Sequence, residues 1–263
     1  MTFIRKYTKA FITFLLVITF LMVSSFVDLI IRDKRKKLHY FSKIAPFYSQ
    51  LALIVWGVHV DTKNLNKLLN SNENYLIVSN HLSYIDIQVI YSIVSSVFIA
   101  NSELKNVFPL GAVTKYSGGV FVERRNRASL LKDIENIKDI LNIGFDMVLF
   151  PEATTSDGEK ILKFRTPFLI SAIESNVNIQ PICIRYKKIN GEDITTSNKH
   201  MVYFYGGIGF FDHFFRMLEL KSITVELEEL ETIEITPESS RKEVSDLAYK
   251  RISDAYFRND NVL

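Results

Sequence analysis

Tyr75-Leu-Ile-Val-Ser79, followed by Asn80-His81-Leu82-Ser83-Tyr84-Ile85-Asp86, is the stretch that decides the fold. The run from Tyr75 to Ser79 is short, apolar and rich in aromatic and branched side chains, which reads as a buried strand. A polar turn follows, and then Ile85–Val97 reads as a mostly apolar helix. A strand that passes through a turn into a helix is the repeating unit of an α/β sheet. Polar side chains at such a turn lie where active groups gather in these folds.

Moving toward the C-terminus, short apolar runs alternate with helical patterns. Val97–Ala100 and Gly119–Glu123 read as strands, and Ala128–Leu141 has apolar residues at Leu130, Leu131, Ile134, Ile137, Ile140 and Leu141, which is helical spacing. Asp146–Phe150 is a strand, Phe164–Ser175 a helix and Ile179–Tyr186 a strand. Met201–Tyr205 and Ser222–Leu227 read as two later strands, and Ser239–Tyr256 as an amphipathic helix opened by a capping serine. The expected fold class is α/β, a mixed and mostly parallel sheet flanked by helices, in one domain over residues 63–263.

Toward the N-terminus, residues 1–62 read as a membrane anchor. Ala10–Val27 carries no charge and is long enough to cross a hydrocarbon layer about 30 Å thick, so a transmembrane helix is expected over about residues 10–31. Arg5, Lys6 and Lys9 precede it, and the denser cluster Arg32, Lys34, Arg35, Lys36 and Lys37 follows. That asymmetry places the rest of the chain on the cytoplasmic side. A cleaved signal peptide is the competing reading, and the basic flank after the apolar run argues for retention. A second apolar stretch, about residues 44–60, is interrupted by Pro46, Ser49, Gln50 and His59; it reads as an interfacial helix or a second crossing.

Composition narrows the function classes. With 32 basic and 29 acidic residues the net charge is +3, which argues against a nucleic-acid partner. The single cysteine, Cys183, excludes an intrachain disulfide framework or a multi-cysteine metal site.

Chemistry concentrates in a few places. A histidine that takes a proton from a hydroxyl needs a carboxylate to fix its tautomer and stabilise the imidazolium, and His81 with Asp86 supplies that pair. Alone, the pair is equally explained by helix capping through Asn80 or Ser83 and a surface aspartate. Gly118-Gly119-Val-Phe121-Val-Glu123-Arg124-Arg125-Asn126-Arg127 brings guanidinium groups to a strand end, suited to phosphate, though such ends are usually solvated surface. Phe150-Pro151-Glu152-Ala153-Thr154-Thr155-Ser156-Asp157-Gly158 sets Glu152 and hydroxyls at a sheet edge, and separately is ordinary turn chemistry.

Together and in this order, these segments resemble the glycerophospholipid acyltransferase family, typified by the 1-acylglycerol-3-phosphate acyltransferases. Asn80, His81 and Asp86 match its first motif; Gly119, Phe121 and Arg124 its second; Phe150, Pro151, Glu152 and Thr154 its third; and Pro181 its fourth. The resemblance spans Tyr75 to Tyr186. It implies a glycerol-3-phosphate acyltransferase-like fold behind a membrane anchor, in a bacterial inner membrane with the domain facing the cytoplasm. It implies His81 as general base and Asp86 as its partner, with Asn80, Gly119, Phe121, Arg124, Glu152 and Thr154 in substrate binding. Arg124 would take an acidic head group. The donor would be acyl-CoA or acyl-carrier protein and the acceptor a lysolipid, first 1-acyl-sn-glycerol-3-phosphate, giving phosphatidate. Membrane lipids are the remaining partners, and no metal or resident cofactor is called for.

Three departures bear on this. Ala153 replaces the family's usual Gly, so the turn must tolerate a Cβ. Asn101 stands where many relatives have a lysine associated with acceptor phosphate, and the Thr-Thr-Ser-Asp-Gly continuation is also similar to members acting on lyso-ornithine lipid. The other classes considered are a catalytically inactive lipid-binding protein, against which the intact His81 and Asp86 count, and a secreted hydrolase, which would need a G-x-S-x-G elbow absent from the chain.

Overall fold

Leu76, Ile77 and Val78 are fully buried in the computed structural model, which describes residues 2–123 and 127–258. A strand covered on both faces sits in the middle of a parallel sheet with helices on each side. The chain begins with α1 (Thr2–Ile30), α2 (Lys34–Trp56), β1 (Val58–Lys63), α3 (Lys67–Asn70), β2 (Leu76–Ser79) and α4 (Ile85–Ile93). Next come β3 (Ser96–Asn101), α5 (Leu110–Tyr116), β4 (Val120–Val122), α6 (Arg127–Asn142) and β5 (Asp146–Leu149). The rest is α7 (Ile170–Glu174), β6 (Ile179–Ile189), β7 (Glu192–Asp193), α8 (Phe210–Met217), β8 (Ile223–Glu229) and α9 (Arg241–Tyr256).

The sheet order is β1-β8-β6-β2-β5-β3-β4, with β7 paired to β6. From β6 through β4 every pairing is parallel, β8 is antiparallel to β6, and β1 is parallel to β8. This is the expected mixed, mostly parallel sheet. Alternation along β2 divides the core: Ile77 packs with Leu53, Val89 and Met217 of α2, α4 and α8, while Leu76 and Val78 pack with Ile137, Ala172 and Ala248 of α6, α7 and α9. Each leucine, isoleucine, valine or methionine so buried contributes about 1.5–3 kcal/mol. The register also aligns the C-terminal ends of β2, β5, β3 and β4 along one edge.

Several elements differ from expectation. The second apolar helix begins at Lys34 rather than near residue 44, because Asp33 caps the Lys36 N–H at 2.8 Å and recruits the basic cluster into its first turn. It ends at Trp56 rather than residue 60, because Gly57 takes the left-handed conformation (φ 77°) that stops a helix. Val58–Lys63 then pairs with β8, so the last residues of the expected anchor segment belong to the sheet. The helix expected over Phe164–Ser175 starts only at Pro167, as a 3-10 turn, since proline disfavours helical backbone in the residue before it. Met201–Tyr205 forms no strand. Val202 and Tyr203 are buried and Phe204 and Tyr205 half-buried by packing outside the sheet, with the Phe204 N–H donating to the Leu82 carbonyl at 2.9 Å. The final helix is capped one residue later than expected, by Ser240 in place of Ser239: the Ser240 Oγ accepts from the Glu243 N–H at 3.2 Å and donates to the Glu243 carboxylate at 2.7 Å.

α1 has the length and apolar composition to cross a membrane, and 17% of its most apolar window is buried against the rest of the chain. Both of its ends are held by the body of the protein. Near the start, Lys6 pairs with Glu219 at 2.7 Å, Arg5 donates to the Glu219 carbonyl, and Lys9 donates to the carbonyls of Trp56 (2.6 Å) and Leu220 (2.8 Å). Near its end, Asp28 pairs with Lys37 and, at 3.9 Å, with Lys115 of α5. The helix therefore lies along the body instead of leading away from it.

Candidate active site

The turn between β2 and α4 is built around a buried carboxylate. Asp86 enters the first turn of α4, where its charge suits the helix N-terminus. One of its oxygens, Oδ2, accepts from the backbone N–H groups of Leu82 (2.7 Å) and Ser83 (2.9 Å) and lies 2.9 Å from His81 Nδ1. The other, Oδ1, accepts from the Tyr186 hydroxyl at 2.7 Å. With Nδ1–H committed to Asp86, the imidazole's Nε2 is the nitrogen left to take a proton. The ring stacks on Phe150 with centroids 3.9 Å apart and planes 13° apart, which fixes its plane. The His81 side chain retains 15% exposure, whereas Asp86 has none.

The backbone of this turn is braced from three directions. Asn80 lies fully buried: its amide donates to the Ile184 carbonyl and accepts from the Ile184 N–H, both at 2.9 Å, tying the turn to β6. Glu152 accepts from the His81 N–H (2.8 Å) through Oε1 and from the Leu162 N–H (2.7 Å) through Oε2. The third brace is the Phe204 contact to Leu82, complemented by the Ser156 N–H on the His81 carbonyl at 3.0 Å. Burial pushes the Glu152 carboxyl up to about 7 against the pull of its two backbone donors, and the neighbouring Asp86 charge adds to the rise. Asn80 and Glu152 thus hold the turn through backbone groups, and their polar atoms are spent on the protein itself.

The remaining expected site residues spread along the same sheet edge. Thr154 is exposed at the turn after β5, and Ala153 beside it adopts φ 64°, the left-handed conformation that a glycine would take without strain. Gly119 enters β4, and a Cβ there would fall 2.7 Å from Thr114 Cγ2 and 2.8 Å from the Thr114 carbonyl oxygen, so only glycine fits. Phe121 in β4 pairs with Ala100 of β3, is half-buried, and has the Lys105 ammonium 5.4 Å from its ring centroid. Arg124 lies outside the described residues. Asn101 accepts from the Glu103 N–H at 3.2 Å and so caps the short helical turn that follows β3.

Phe150 and Tyr186 are functional neighbours that the sequence reasoning passed over. Phe150 was visible as part of a motif, but nothing in the sequence said that its ring lies against His81. Tyr186 closes an apolar strand about a hundred residues from Asp86, and no local signal links the two.

Comparison with known proteins follows the same lines. A family model described as Acyltransferase matches residues 58–185. The lyso-ornithine lipid O-acyltransferase of Rhizobium meliloti is 29% identical over 212 residues, 78% of this chain and 72% of that protein. The enzyme of the same description from Brucella abortus is 29% identical over 219 residues, 80% of each chain. The 1-acyl-sn-glycerol-3-phosphate acyltransferase of Neisseria gonorrhoeae is 29% identical over 157 residues, 58% of each. Among solved structures, the 1-acyl-sn-glycerophosphate (LPA) acyltransferase PlsC of Thermotoga maritima superposes with a TM-score of 0.68 over 99% of this chain and 97% of that one. At 20% identity, that likeness speaks to the fold alone.

Proposed function

We propose that the chain, which is similar over residues 58–185 to a family described as Acyltransferase, moves a fatty acyl group from a thioester, acyl-CoA or acyl-carrier protein, to the hydroxyl of a lysolipid. The observation that carries this reading is the His81–Asp86 pair, held at 2.9 Å at the strand-end edge, with no hydrogen bond to Nε2 among the described residues. In the proposed reaction the acceptor hydroxyl gives its proton to His81 Nε2 as its oxygen attacks the thioester carbonyl carbon. The carbon–sulfur bond then breaks, and the thiolate leaves with the proton returned from the imidazolium. Asp86 stabilises the imidazolium in between. No resident metal or cofactor enters the scheme.

For the acceptor, two observations favour a lyso-ornithine lipid over 1-acyl-sn-glycerol-3-phosphate. Two relatives described as acting on the former match along 78% and 80% of this chain and two others along 59% and 44%, against 58% and 64% for relatives described as acting on the latter. Asn101 is also engaged as a helix cap and brings no cation to the site. Arg124, matching the family's head-group arginine, is the counterweight in favour of a phosphate acceptor.

The membrane association we propose differs from a simple crossing. Because both ends of α1 bind the body, α1 and α2 would lie together in the interface, presenting exposed side chains such as Phe11, Phe14, Met22, Phe26, Phe47 and Ile54 to lipid. The catalytic body would then face the cytoplasm, and tags at the two ends of α1 should show the same accessibility to protease in sealed vesicles. Opposite accessibility would restore the crossing.

The functional test is a membrane-fraction assay with labelled acyl-CoA and acyl-carrier protein against a panel of lysolipid acceptors. Acylation of one acceptor, absent in His81→Ala, is the expected result. No transfer to any acceptor from either donor would sink the reading in favour of a lipid-binding protein.

A further inference from the structure

We propose that Tyr186 is a positioning residue for the catalytic pair: its hydroxyl holds the second oxygen of the Asp86 carboxylate and thereby fixes the orientation in which Asp86 grips His81. The proposal rests on the acyl-transfer reading for its kinetic consequences, and on geometry alone for its spectroscopic one.

Asp86 is fully buried, so solvent does not share in satisfying it. Oδ2 collects three contacts from its own turn, from Leu82, Ser83 and His81, all within 2.9 Å. Oδ1 receives its donor from across the sheet, the Tyr186 hydroxyl at 2.7 Å, a short charge-assisted contact. Turn and cross-sheet donor together leave the carboxylate one orientation. Without the second, Oδ1 would be a bare buried anion free to rotate toward the imidazole.

The tyrosine is itself placed with care. It lies on the same face of β6 as Ile182 and Ile184, and the register with β8 shifts immediately after it, between Tyr186 and Lys188. A bulge at that point re-aims the side chain. Its ring packs edge-on against Tyr203, with centroids 5.4 Å apart, and Tyr203 and Tyr256 of α9 both border Gly158, to whose carbonyl the Tyr256 hydroxyl donates at 3.1 Å. Burial, and after it the Asp86 charge, raises the Tyr186 phenol well above its ordinary value, so it stays a donor throughout the working range. The titratable groups facing Asp86 are His81, Glu152, Tyr186, Tyr203 and Tyr256. Removing the Tyr186 hydroxyl changes the donors to Asp86 while leaving the other charges in place.

The test compares Tyr186→Phe with Tyr249→Phe in the full-length protein. Tyr249 donates to the Ile161 carbonyl at 3.3 Å from α9 and is absent from the contacts of Asp86, so it controls for loss of one tyrosine hydroxyl. In Tyr186→Phe, kcat should fall about tenfold, the scale typical of lost outer-shell partners, with KM for both substrates unchanged. The acid limb of its pH–rate profile should move to higher pH, because a carboxylate relieved of one donor holds the imidazolium more strongly. Tyr249→Phe should change neither. The low-field proton resonance of the His81 Nδ1–H, assigned by its absence in His81→Ala, should shift in Tyr186→Phe; this arm stands even if no acceptor is ever acylated. If Tyr186→Phe fails to fold, site-specific 3-fluorotyrosine at position 186 keeps the shape with a stronger donor, and the acid limb should then move to lower pH. An unmoved acid limb and an unmoved resonance in folded Tyr186→Phe or fluorotyrosine protein would overturn the proposal, as would equal losses in Tyr186→Phe and Tyr249→Phe.

Discussion

The His81 turn and the α1–α2 pair are held in opposite ways. The turn is held from inside: Asn80, Asp86 and Glu152 are all buried, and each spends its polar atoms on backbone, on His81 or on the Tyr186 hydroxyl. α1 is held at its ends by charged side chains that keep contact with solvent, Lys6 and Glu219 being 23% and 37% exposed, and its apolar flank is left uncovered. The difference teaches where each region's order comes from. Low-dielectric hydrogen bonds fix a reacting geometry to tenths of an ångström, whereas exposed ion pairs steer a helix without contributing much stability. An apolar flank left open is what a lipid surface would complete.

Substitutions in the two regions should therefore separate cleanly. The largest effect belongs to His81→Ala, which should reduce acyl transfer by a factor on the order of 10²–10⁴ while leaving the protein in the membrane fraction; transfer rates and sedimentation with vesicles check both halves. Asn80→Ala strips the two hydrogen bonds to Ile184 and leaves a buried N–H and carbonyl unpaired, so unfolding free energy should drop by about 2–4 kcal/mol in denaturant titration, with activity falling alongside.

A pH effect comes next. Glu152 ionises in the folded state at about 7 against an ordinary 4.5, so its folded form is favoured while protonated and stability is lost as pH rises from 4.5 through 7. Asp146, raised to about 6 by burial, adds the lower part of the same decline. In Glu152→Gln the fall in melting temperature should therefore end near pH 6 instead of pH 7. The smallest effect is expected at the anchor. Lys6→Ala should change unfolding free energy by less than about 1 kcal/mol, since exposed pairs contribute little. A loss as large as that of Asn80→Ala would erase the distinction between the regions.

The same contrast explains what the sequence disclosed. β2 was legible because an apolar run between polar turns has few other fates, whereas the His81–Asp86 pair stood out only through the motif resemblance, since His81 lies before the first turn of α4 and no helical spacing links the two. The ends of α2 were not legible: apolar residues on both sides of Gly57 hid the stop there, which depends on one residue's left-handed backbone. Met201–Tyr205 misread as a strand because Val202 and Tyr203 are buried by tertiary packing, a signal that local pattern cannot distinguish from a sheet. Asn80 and Glu152 were found as motif residues but assigned to substrate, since composition does not reveal that their partners are Ile184, His81 and Leu162. Ala153 was a correct worry, and the turn does carry a Cβ at φ 64°.

The central claim is that His81 takes the acceptor's proton. Its most direct test is single-turnover transfer of a labelled acyl group to the acceptor identified in the panel, as a function of pH, with wild type and His81→Ala at matched folded fractions. The account predicts a wild-type rate that rises with pH along a single deprotonation and a His81→Ala rate that is low and lacks that step. Transfer by His81→Ala at the wild-type rate, or with the same pH step, would contradict it.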